Sequence, residues 1–118
     1  MGFREASTIT RFKSDNSVKR NVLKAAPGIL YGITAHNINA AAAYLRLYNM
    51  ATNAATSDTP VAEYAIPGAT TGGRCDVSFG VNGIAFSTGI AYRIVTGNAD
   101  NGDTACASNE VVINFEWA

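Results

Sequence analysis

Charge is scarce in this 118-residue chain: 15% of its residues are Asp, Glu, Lys or Arg, against 47% that are hydrophobic. Nine basic and nine acidic residues cancel, which argues against a nucleic-acid binder whose affinity comes from neutralising phosphates. Histidine occurs once, at His36, and cysteine twice, at Cys75 and Cys106, neither beside another Cys or His. Zinc needs ligands clustered at short spacing, so this set argues against a zinc site. Long apolar runs are missing as well, and nothing approaches the ~20 residues of a membrane helix. The opening MGFREASTITRFK carries charges where a secretory signal has its apolar core. Gly2 lacks the Ser or Thr at position six that marks myristoylation, since Ala6 stands there. The expectation is a soluble protein made in the cytoplasm, with Cys75 and Cys106 kept as small buried thiols or, alternatively, paired across strands.

What is present suits a β-rich domain. The length allows one domain, residues 1–118, with a real core and no need of metal or disulfide staples. Turn residues at Ser14-Asp15-Asn16, Pro27-Gly28, Asn37 to Asn39, 52–60, 67–73, Asn82-Gly83 and 97–104 leave strand-length segments between them. In GILYGITAH, Ile29, Tyr31, Ile33 and Ala35 alternate with Leu30, Gly32, Thr34 and His36. GIAYRIVTG sets Ile90, Tyr92 and Ile94 on one side, and EVVINFEW sets Val111, Ile113, Phe115 and Trp117 on one side. The four alanines of INAAAAYLRLYNMA favour a helix by propensity. Yet Leu45 and Leu47 opposing Tyr44, Arg46 and Tyr48 predict a strand from about Ala42 to Asn49. About eight short antiparallel strands imply an all-β, two-sheet sandwich of jelly-roll type. The run 51–59 is expected to be an exposed hairpin tip, and GATTGGR a hairpin connection.

Charge is uneven along the chain. Through Lys24 the bases Arg4, Arg11, Lys13, Lys19, Arg20 and Lys24 face only Glu5 and Asp15, and acids outnumber bases afterwards. Residues 1–24 therefore form a basic segment suited to electrostatic docking, or alternatively an edge strand whose charges prevent aggregation.

No catalytic constellation stands out. His36 lies at a strand end with no evident nucleophile or orienting partner. The serine of FSTG lacks the glycine pattern of a nucleophile elbow, and GATTGGR lacks the Lys-Ser/Thr ending of a phosphate loop. Glu63, Asp76, Glu110 and Glu116 sit at alternating polar positions, as a solvated sheet face requires. Asn98, Asp100, Asn101 and Asp103 offer oxygen ligands without the register of a calcium loop. The tyrosines and Trp117 suit either core or a sugar-stacking platform.

Read together, GILYGITAHNINAAAAYLRLYNMA, PVAEYAIPG, GIAFSTGIAYRIVTGNADNGD and NEVVINFEW resemble small virion proteins of tailed phages and prophages, over about Gly28 to Trp117. The resemblance implies a non-enzymatic capsid decoration, or cement, protein on the outer capsid surface of a virion assembled in a host cytoplasm. It implies no catalytic residue, cofactor or metal. The partners would be the major capsid protein and further copies of the chain, as a trimer or a dimer, with no nucleic acid or membrane. The capsid-contact candidates are Arg4, Arg11, Lys13, Lys19 and Arg20. A tail- or fibre-associated module binding host glycan through loops 51–59 and 97–104 is the alternative, and a small hydrolase using Glu63 or Asp76 a third.

Overall fold

A computed structural model describes residues 6–17, 19–97, 99 and 101–118. Alternating inward apolar and outward polar side chains organise them into nine strands: β1 (Thr8–Lys13), β2 (Arg20–Lys24), β3 (Gly28–Asn37), β4 (Ala43–Tyr48), β5 (Ala62–Ile66), β6 (Arg74–Ser78), β7 (Ile84–Phe86), β8 (Ile90–Val95) and β9 (Val111–Trp117). Among the described residues no helix is long and apolar enough to cross a membrane.

The first sheet runs β1-β9-β3-β6, with β7 also on β3, and the second runs β2-β8-β4-β5. All pairs are antiparallel. β1 with β9, β2 with β8, β3 with β6 and β7, and β4 with β5 are successive rungs of one long ribbon. Rolling that ribbon brings β9 against β3 and β8 against β4, which is the jelly-roll arrangement.

The ninth strand arises from an interruption. Ser78 lies opposite Gly32 and Ile84 opposite Leu30, so β6 and β7 share one side of β3 with a chain excursion between them. Gly80 and Gly83 adopt φ of 79° and 65°, and a Cβ on Gly83 would lie 2.8 Å from the Leu30 carbonyl oxygen. Asn82-Gly83 thus turns within an edge strand and does not close a hairpin. GATTGGR is likewise not a hairpin connection, because it carries the chain from β5 in the second sheet to β6 in the first, through a 3-10 turn at Ala69–Thr71.

The core forms where the inner faces meet. Phe12, Ile33, Ala35, Ile113 and Phe115 come from one sheet, and Leu45, Leu47, Ile66, Ile90, Tyr92 and Ile94 from the other. The Tyr92 ring bridges the sheets, 5.6 Å from Phe12 and 4.6 Å from Phe115. Such aromatic pairs add about 0.5–1.5 kcal/mol each beyond area burial. The strict alternation expected in β3 fails at a register shift between Leu30 and Gly32, which puts Leu30 in the core with Ile33 and Ala35. Cys75 is half-buried, Cys106 is buried, and both are free thiols.

The alanine run resolves in favour of the strand. The Asn37 side chain donates to the Ala41 carbonyl at 2.9 Å and accepts from the Asn39 amide at 2.9 Å, while Asn39 accepts from the Ala41 amide at 2.8 Å. These local bonds occupy backbone groups that a helix would need. Residues 39–41 therefore bend, and β4 begins at Ala43.

Candidate functional site

The outer faces of the two sheets differ in cover. On the first sheet the register aligns three outward rows: Ile9, Glu116, Gly32 and Ser78; Arg11, Asn114, Thr34 and Asp76; Lys13, Val112, His36 and Arg74. No described residue folds over them. Ile9 is 69% exposed, and the missing side chain at Gly32 leaves a shallow trough of about 300 Å³ beside Ile9, Thr34, Asn114 and Ser78. His36 is exposed on this face. Arg74 pairs with Asp76 at 3.2 Å.

On the second sheet the corresponding face is roofed. Arg20, Arg93, Arg46 and Glu63 stand opposite one another across all four strands, and Arg46 and Arg93 are 0% and 1% exposed. Like charges placed directly opposite destabilise a sheet, and buried charges need partners. Glu63 on β5 and two loops supply them. Arg46 bonds Glu63 through Nε at 2.8 Å and the Gly97 carbonyl through Nη2 at 2.9 Å. Arg93 donates to the Ala54 carbonyl at 3.1 Å, to the Gly102 carbonyl at 3.3 Å and to the Asp103 carboxylate. Ala54 is completely buried and packs with Tyr48 and Ala91. Loop 51–59 does join the β4–β5 hairpin, but its middle is fastened to the sheet and only parts of it are exposed.

Between these loops and the start of β2 lies an open cleft of about 560 Å³ lined by Ser17, Lys19, Arg20, Asn53, Thr56, Arg93 and Asp103, together with Ala55. Lys19 Nζ bonds the Asp103 carboxylate at 3.0 Å and its carbonyl at 2.9 Å. The Lys19 bond first, and the Arg93 bond second, hold the Asp103 carboxyl below the usual carboxylate range. Arg20 donates to the Ala54 carbonyl at 3.3 Å.

The five basic candidates therefore fall in separate places. Arg11 and Lys13 lie on the bare face, Lys19 and Arg20 line the cleft beside the other sheet, and Arg4 lies outside the described residues. The carboxylates do not converge on a cleft. Glu63 binds a buried arginine, Asp76 pairs with Arg74, Glu110 accepts from Asn39 and Glu116 from Ser7. Asn98 and Asp100 lie outside the described residues, and among those described no group of three or more His, Cys, Asp or Glu is placed to hold a metal. Sequence reasoning missed Arg46 and Arg93 as organising residues. Their one signal is an arginine centred in each of two apolar strands, LRL and YRI. No protein-family model, characterised protein or solved structure matches this chain.

Proposed function

We propose that this chain is a non-enzymatic structural protein of a tailed-phage particle, which binds the outer capsid surface as a small oligomer, with a trimer favoured, and clamps adjacent major capsid subunits. The observation that carries this reading is the bare face of the first sheet. Its short side chains at Gly32, Thr34, Ser78 and Asn114 leave a shallow trough, Ile9 gives it an apolar anchor, and Arg11 and Lys13 give it a basic margin. A shallow patch with an apolar anchor and a charged rim suits protein contact. The jelly roll is compatible but does not discriminate, since it serves capsid and lectin domains alike. A ligand that binds only the assembled shell stabilises it by mass action.

The test is to mix the protein with empty heads of the parent phage and locate added density by electron microscopy. Density between capsomers, reduced in an Arg11→Ala/Lys13→Ala variant, is expected. Density at the tail instead would favour the adhesion reading. That reading draws on the cleft beside loops 51–59 and 97–104, whose described lining has no aromatic ring for stacking a neutral sugar.

A further inference from the structure

The row Arg20–Arg93–Arg46 carries more positive charge than roofing the second sheet requires. Among the residues that line the cleft, Lys19, Arg20 and Arg93 face the single carboxylate of Asp103, so the lining carries two more positive charges than negative. Asp15 and Asp58 stand behind it, bonded to Ser17 and to the Ala55 amide. Glu63 neutralises one end of the row, and Asp103 is shared between Lys19 and Arg93. Arg20, at the cleft end, is held by a neutral carbonyl.

A second observation concerns donors. Arg93 Nε and Arg46 Nη1 are buried and have no hydrogen-bond partner among the described residues, although buried guanidinium donors are ordinarily satisfied. Arg93 itself lines the cleft, alongside the hydroxyls of Ser17 and Thr56 and the amide of Asn53. A guanidinium fork matches the two-oxygen edge of a carboxylate or phosphate, and hydroxyl and amide groups beside it suit the polar carrier of such a group.

We propose that this cleft is a binding site for an oxyanion, a carboxylate or phosphate carried on a small polar molecule such as a sugar, with Lys19 and Arg20 as the residues that engage it. Arg93 positions the site by holding Ala54, Gly102 and Asp103, which set its walls. The site lies beside the second sheet, away from the face assigned to capsid contact, and stands or falls independently of that assignment.

The test is a titration of the isotope-labelled protein at low ionic strength, followed by amide chemical shifts. The probes are inorganic phosphate, glucuronate and the neutral methyl glucoside. Saturable shifts clustered at Ser17, Lys19, Arg20, Asn53, Thr56 and Asp103 are expected with phosphate, glucuronate or both, and the effective probe identifies the anion source. Methyl glucoside should leave these amides unmoved. Removing one charge-assisted contact in Arg20→Gln should weaken binding about tenfold, and salt should weaken it further. A thermal melt of Arg20→Gln and Lys19→Gln checks that both remain folded, as expected for side chains at the cleft mouth. The proposal is overturned if neither anion gives saturable shifts, if methyl glucoside competes equally, if only an adventitious, non-saturating ion effect appears, or if a folded Lys19→Gln/Arg20→Gln double variant binds unchanged.

Discussion

The two sheets share one core and one architecture, yet their outer faces solve opposite problems. The first sheet turns outward short polar side chains and an exposed Ile9, and leaves them bare. The second turns outward two arginines and then covers them with loops that their guanidinium groups tie down. The strand alternation is alike in both, so the difference lies in what the connecting loops do. A bare face is available to a partner as it stands, whereas a roofed face makes recognition local, at the cleft where the roof ends. Cover, not strand pattern, separates the two kinds of surface.

The sharpest way to break that comparison is Arg93→Ala. It removes the Arg93 donor from the Gly102 carbonyl and one of the two donors from the Asp103 carboxylate and from the Ala54 carbonyl, which Lys19 and Arg20 still serve, and losing hydrogen bonds to a charged group costs about 1.5–3 kcal/mol. Urea denaturation should show a loss of this size, and a loss under about 1 kcal/mol would mean that the roof is held by other contacts. Gly83→Ala probes the first sheet instead, because the substitution forces a side chain into φ of 65° against the Leu30 carbonyl. It should cost about 1–3 kcal/mol, read the same way. At high pH the two sheets should fail together. Burial pushes the Tyr92 hydroxyl up to about 12, above its ordinary value near 10. The stability it confers is complete below about pH 10 and is lost as pH rises toward 12. Tyr92→Phe should remove that alkaline component of the unfolding curve.

At low pH the faces should part. The Asp103 carboxyl is held low by Lys19 and Arg93, so its contribution is present above the ordinary carboxylate pKa and is lost as pH falls through its depressed one. Hydrogen exchange at the described amides of 101–105 should then accelerate before that of β9 does. Equal acceleration of both would deny the roof any separate response. The smallest effect is expected at Arg11→Ala, which lies on the bare face and should change stability by no more than about 0.5 kcal/mol, while still lowering capsid occupancy if that face is the contact.

Much of the fold was legible because inward alternation is a local signal. Val111, Ile113 and Phe115 announce β9, and Ile90, Tyr92 and Ile94 announce β8, with no knowledge of their partners. The alanine run was harder, since propensity pulled toward helix and the decisive bonds from Asn37 and Asn39 are side-chain details. The hairpin connection wrongly expected at GATTGGR has a physical cause. Gly-rich turns report that the chain bends, not which sheet it enters next. Arg46 and Arg93 were read by alternation as outward positions, and they are outward. Their burial depends on loops brought over them by pairings that no single segment encodes. The split of the basic segment, with Arg11 and Lys13 on one side and Lys19 and Arg20 on the other, follows in the same way from β1 and β2 joining different sheets.

The excursion between β6 and β7 also bears on edge-to-edge association of the first sheet. An uninterrupted edge strand offers a row of unpaired amides and carbonyls on which another chain can polymerise. Here the row beside β3 is cut into pieces of five and three residues, with Gly80 and Gly83 turning the backbone aside between them. A foreign strand laid along this edge would lose its hydrogen-bond register partway. The glycine-turned excursion thus interrupts edge-to-edge pairing on this side of the first sheet.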